Sequence, residues 1–107
     1  MVVEVVTGQS WAEYVQQHIY QPLSMTSSSV DQNVSGMAVG YRRLMPDGTR
    51  GVNPFIDARG MAAATGVTST VEDMAKFVSA QFRKGRMGGR QILSTGSLRE
   101  MHRVRVL

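Results

Sequence analysis

Residues 69–82 read Ser69-Thr70-Val71-Glu72-Asp73-Met74-Ala75-Lys76-Phe77-Val78-Ser79-Ala80-Gln81-Phe82, and no other stretch of the chain constrains its fold as tightly. Val71, Met74, Ala75, Val78 and Phe82 recur at the spacing of one helical face, which predicts an amphipathic helix with that stripe buried. Ser69 and Glu72 stand three residues apart, as in a capping box, and Glu72 with Asp73 places negative charge at the positive end of the helix macrodipole. Ser69 and Thr70 therefore read as cap residues rather than nucleophiles. Adjacent on a helix, Glu72 and Asp73 point about 100° apart and do not form a facing carboxylate pair.

A second capping box, Ser10 with Glu13, opens a helix whose Trp11, Val15 and Ile19 stack at spacing four, and Pro22 ends it near Tyr20. Residues 24–36, rich in Ser, Thr, Asn and Asp, read as a loop. Residues 37–45 and 49–52 flank Pro46-Asp47-Gly48, in which Asp47-Gly48 supplies the angles of a tight hairpin, so a short two-stranded ribbon is expected. Residues 53–66 form an irregular Gly- and Ala-rich run suited to a close-packed loop or a cleft wall. Three glycines break the long helix within residues 84–89, residues 91–93 make a short extended link, and a last helix runs from Thr95 to about His102, capped by Ser94 or Thr95. Residues 1–6 hold four valines and fit either the end of a helix or a β-prone, frayed edge. The fold class expected is mainly α with a short β-hairpin.

At 107 residues the chain makes one domain at most, with a modest core. It has no cysteine, which excludes disulfides and thiolate metal sites. Its start, with Glu4 and no basic region, does not read as a signal peptide, and no run approaches the roughly 20 apolar residues of a membrane span. Net charge is +4, concentrated in residues 83–105, where seven cations face the single acid Glu100. That quarter is either a solvated face or a surface for anions. Trp11 and Tyr14 lie far from those cations in sequence, so no aromatic-basic platform for nucleic acid is expected. His18 and His102 are too isolated for a metal site, the eight methionines read as core fillers, and no cofactor is implied.

The run Gly66-Val67-Thr68-Ser69-Thr70-Val71-Glu72-Asp73-Met74-Ala75-Lys76-Phe77 resembles the turn-and-helix segment of the serine β-lactamase-like family, which comprises class C β-lactamases, DD-peptidases and related esterases. Two more blocks agree in order: Glu4-Val5-Val6-Thr7-Gly8-Gln9-Ser10 with Ile19-Tyr20-Gln21-Pro22-Leu23-Ser24-Met25-Thr26, and Val39-Gly40-Tyr41 with Asp47-Gly48 and Val52-Asn53-Pro54. The family usually has Gly where Ser24 stands. The resemblance implies the helical region of the serine β-lactamase-like α/β fold, with Thr65 and Gly66 in a loop that forms one wall of the substrate cleft. An Ala-Gly run that merely packs tightly before the helix is the competing reading of those two residues.

The family's chemistry requires a serine with a lysine one helical turn later. Ser10, Ser69, Ser79 and Ser97 are followed at that position by Glu13, Glu72, Phe82 and Glu100. Tyr14, Tyr20 and Tyr41 lead to Gln16, Pro22 and Arg43, so Tyr-x-Asn is missing, and neither Lys84-Gly85 nor His102-Arg103-Val104 supplies Lys-Thr-Gly or His-x-Gly. Residues 1–107 thus read as one partial domain, an internal piece of a serine hydrolase acting on a β-lactam, a D-amino-acid peptide or a carboxylic ester. On this reading it holds no catalytic residue, is inactive alone, and meets a small-molecule substrate only within the full-length parent. Self-association remains as a partner, and localisation is left open because the family is often exported. The alternative is a small helical interaction module without catalysis.

Overall fold

The computed structural model describes residues 2–30 and 34–105. Met1 and the middle of the loop expected at residues 24–36 lie outside them. Two compact units are present, one from Met1–Ser29 with Ser69–Leu107 and the other Val30–Thr68.

In the first unit the valine-rich start is helical, α1 spanning Val2–Thr7, and Gly8 leaves it with φ 70° while donating to the Glu4 carbonyl. α2, Trp11–Val15, begins with the capping box expected from the sequence. Glu13 N–H donates to Ser10 Oγ at 3.2 Å, and Glu13 Oε2 accepts the Ser10 N–H at 3.0 Å. A π-helical segment, Gln16–Tyr20, continues it. The wider turn shifts the side-chain register by one, so the residue five beyond Val15 takes the inner face: Val15 and Tyr20 are buried, whereas Ile19 is only half-buried. Met25 N–H donates to Tyr20 O across a left-handed Ser24 with φ 56°, a Schellman-type end that places buried Met25 with buried Tyr20. This conformation explains why glycine suits the position of Ser24.

α4 spans Val71–Phe82 and departs from expectation in two ways. Its cap is Thr70, whose Oγ1 accepts the Asp73 N–H at 3.3 Å, and not Ser69. Its apolar stripe is also not buried within this chain: Val71 and Phe82 are 82% and 85% exposed, and Met74 and Val78 are exposed as well. The inner face lies opposite, about 200° around at 100° per residue, and carries Asp73, Lys76, Phe77 and Ala80. Periodicity identifies an apolar face but not the surface that will cover it. Lys84, with φ 57°, and the Gly85 N–H bond to Ala80 O end the helix in a second Schellman motif.

The chain then forms a hairpin where the sequence promised only a break and a link. β3, Arg86–Met87, pairs antiparallel with β4, Arg90–Gln91, through Gly88 and Gly89 at φ 52° and 81°. Two positive φ values are what a two-residue primed turn requires. α5, Thr95–Met101, is capped by Ser94, whose Oγ accepts the Ser97 N–H at 3.0 Å. The unit's buried apolar residues are Val15, Tyr20, Leu23, Met25, Ala80 and Leu98. Of the methionines, Met25 alone among the described residues is fully buried, while Met45, Met61, Met74 and Met101 are exposed, so core filling is not their common role here.

The second unit opens at Val30, the last residue of β1, Ser29–Val30, and closes in β2, Val67–Thr68, with which β1 pairs as a two-stranded sheet. The expected ribbon between them is loose, with one antiparallel bridge, Tyr41 to Val52, and flanking bonds from Arg42 N to Gly51 O and from Asn53 N to Gly40 O. Its tip differs in detail from the expectation. Pro46 and Asp47 occupy the centre of the turn, Gly48 alone has positive φ, and Asp47 Oδ1 accepts the Thr49 N–H at 2.9 Å. A short 3-10 turn, Arg59–Met61, leads into α3, Ala62–Thr65.

Candidate functional site

Thr65 is exposed at the end of α3, and its Oγ1 donates to Met61 O at 3.3 Å. Gly66 is buried, its N–H donating to Ala62 O at 2.8 Å. A Cβ on Gly66 would stand 2.8 Å from Ala62 Cα, so this position requires glycine for close approach of two backbone segments. An apolar depression of about 680 Å³ in the same unit is lined by Met37, Val39, Arg42, Val52, Phe55 and Ile56 among others. Thr65 and Gly66 are not among its walls, so the structure does not unite the expected cleft residues with this hollow.

The most organised polar constellation belongs to the first unit and centres on Asp73, 1% exposed. Asp73 Oδ2 accepts the Ser27 N–H and the Ser28 hydroxyl, each at 2.8 Å. Asp73 Oδ1 accepts from Lys76 Nζ at 2.7 Å, and the same Nζ donates to Ser24 O at 2.6 Å. Ser28 Oγ, itself buried, lies 2.8 Å from Ser69 Oγ. The Lys76 ammonium, then the Ser28 hydroxyl and the Ser27 N–H, hold the Asp73 carboxyl below its ordinary value against the opposing effect of desolvation. No buried side-chain nitrogen or oxygen among the described residues lacks a partner.

These groups contain a serine, a carboxylate and a lysine, but their geometry is that of a fastening. A carboxylate held below its ordinary pKa is a weak base at neutral pH, and Lys76 Nζ donates to two acceptors, leaving no amine lone pair toward Ser28. Sequence reasoning placed Asp73 at the helix dipole and missed this role. The one local signal was Asp73 with Lys76 at i, i+3, while the strap that buries the carboxylate lies some 45 residues earlier. Two of the other candidate serines have structural duties: Ser10 caps α2, and Ser97 bonds Ser94.

His18 rests against Tyr14, with ring centroids 4.2 Å apart, and His102 bonds Gln81, so neither joins a ligand set. Among the described residues no group of three or more metal-binding side chains gathers, and no helix is long and apolar enough to cross a membrane. In the basic quarter Glu100 pairs with Arg103 and Arg105, while Arg83, Lys84, Arg90 and Arg99 stay exposed.

No curated protein sequence matches the chain. Among solved structures, it resembles the octameric penicillin-binding protein homologue from Pyrococcus abyssi, with 27% identity and a TM-score of 0.77 over 95% of this chain. It spans 22% of the length of that protein, so the helix-rich fold with its short strand pairs matches one segment of a larger β-lactamase-like structure. The family model described as Beta-lactamase matches residues 1–106, and on that match the chain belongs to the serine β-lactamase-like family.

Proposed function

We propose that residues 1–107 form the cleft-flanking helical segment of a serine hydrolase, a partial domain that shapes the substrate site without performing its chemistry. The observation that carries this reading is a family match over residues 1–106 in a sequence without Ser-x-x-Lys, Tyr-x-Asn, Lys-Thr-Gly or His-x-Gly. The parent would act by acylation of a serine on a β-lactam, a D-amino-acid peptide or a carboxylic ester. Thr65 and Gly66 contribute to the cleft wall: Gly66 keeps the loop tight against α3, and the exposed Thr65 presents a small side chain to the substrate. The exposed outer face of α4 is the surface on which other parts of the parent pack. The octameric state of the Pyrococcus abyssi homologue adds a reason to expect self-association.

The first test is enzymatic. The isolated chain is expected to hydrolyse neither a chromogenic β-lactam nor a short-chain p-nitrophenyl ester above the buffer rate. Saturable turnover abolished by a Ser→Ala change in this chain would overturn the reading. The coding sequence on either side supplies the second test: Ser-x-x-Lys and Tyr-x-Asn upstream with Lys-Thr-Gly or His-x-Gly downstream are expected. Stop codons at both ends would favour an interaction module instead.

A further inference from the structure

We propose that Asp73 is a positioning residue, strapping residues 24–28 to α4 and, through the Ser28–Ser69 hydroxyl pair, fixing the chain where it enters that helix. Ser69 follows Gly66 by three positions, so the strap is tied to the chain just beyond the Thr65–Gly66 loop in sequence. This significance for a cleft rests on the function proposed above, whereas the strap itself stands on the first unit alone.

The hold on the strap is polar. Within residues 24–28 the buried apolar side chain is Met25, and the other tertiary attachments are the Ser24 carbonyl, the Ser27 N–H and the Ser28 hydroxyl. Asp73 is buried while Lys76 is about a third exposed, and a buried carboxylate accepts one register of partners, because any slip leaves its charge unsatisfied. Ser28 uses its hydroxyl hydrogen on Asp73, so it accepts from Ser69, whose own hydroxyl hydrogen also faces Thr70 O at 3.3 Å, and the carboxylate orients the Ser28 end of that contact.

The charged groups around Asp73 are few. Lys76 comes from α4 itself, and Glu72 precedes Asp73 in the same helix but is exposed. From β4, Arg90 lines the hollow shared by Ser24 and Lys76. The strap contributes only uncharged groups. Since the folded carboxyl is held below its ordinary value, the fastening is complete above the ordinary range of aspartate and loosens as pH falls through the lowered value.

Hydrogen exchange read by mass spectrometry on the 107-residue chain tests this. Asp73→Asn is expected to speed exchange roughly tenfold or more in residues 24–28 and 69–72 together, leaving residues 10–20 and 95–101 within about twofold. In the wild type, exchange corrected for intrinsic rates stays flat in both segments from about pH 7 down into the ordinary aspartate range and rises only below it, while in Asp73→Asn it carries no such dependence. Opening of residues 24–28 without residues 69–72, or a uniform rise in every peptide, would overturn the proposal. Should Asp73→Asn not fold, Lys76→Met serves, with the acid opening moving up toward the ordinary aspartate range. An unmoved opening counts against the proposal. None of these readouts involves turnover, so this inference and the proposed function can fail separately.

Discussion

Among the described residues three non-glycines hold left-handed backbone, Arg59 at φ 42° where the 3-10 turn begins, and Ser24 at φ 56° and Lys84 at φ 57° where helices end. For an L side chain that region costs roughly 1 kcal/mol or somewhat more, because Cβ crowds the neighbouring carbonyl. Among the described residues the tertiary bond of Ser24 is made by its carbonyl oxygen, which accepts from Lys76, and not by its side chain. Ser24→Gly is therefore expected to stabilise the chain by about 0.5 to 1 kcal/mol, read as a higher denaturant midpoint at unchanged slope. Lys84→Gly should act alike at the end of α4. A lower midpoint for Ser24→Gly would mean that its hydroxyl has an unrecognised duty. Asp73 shows the opposite economy, with every oxygen engaged and the carboxyl held low by Lys76, Ser28 and Ser27. Its contribution to stability is present above the ordinary aspartate pKa and disappears as pH falls through the lowered one.

At the scale of one helix, α4 separates two serine/threonine roles that its sequence presents side by side. Thr70 Oγ1 accepts the Asp73 N–H, whereas Ser69 Oγ turns to Ser28. Loss of a cap typically costs about 1 kcal/mol. Thr70→Ala is expected to lower stability by about that amount, and Ser69→Ala by less, since Ser28 keeps its bond to Asp73. Thermal melts of both variants check the order, and a larger loss for Ser69→Ala would return the cap to that residue. The contrast also shows what a sequence can disclose. The Ser10–Glu13 box and the bounds of α4 and α5 were legible because capping and periodicity are local. The choice between Ser69 and Thr70 depends on a hydroxyl 41 residues away, and the burial of Asp73 depends on a strap 45 residues away. The Arg86–Gln91 hairpin was written in Gly88-Gly89 but hidden by strands of two residues each, too short for any alternation. The family blocks led to Thr65 and Gly66 as an expected cleft wall, and the contact that demands glycine at 66 is visible only in three dimensions.

Taken as a molecule in water, the chain leaves several apolar faces open. Val71, Met74, Val78 and Phe82 form one exposed face of α4, and Val2, Val5 and Val6 are exposed on α1. In the second unit, Val39, Val52, Phe55 and Ile56 are exposed as well. Each large apolar side chain left in water forgoes roughly 1.5 to 3 kcal/mol of burial, so a few brought together outweigh much of the entropy lost on association. Apolar patches of this kind on an isolated chain mark either an interface or a liability to aggregate. The net charge of +4 opposes association only modestly, since seven of the cations sit in residues 83–105, away in sequence from α1 and most of α4. The isolated chain is therefore expected to form oligomers or precipitate, with average mass rising with concentration in sedimentation. Val78→Ser combined with Phe82→Ser should lower that mass while leaving helix content intact, because both side chains lie on the face of α4 opposite Asp73 and Ala80. A wild type that stays monomeric across those concentrations would defeat this expectation, and with it the view that the outer face of α4 waits for the rest of a hydrolase domain.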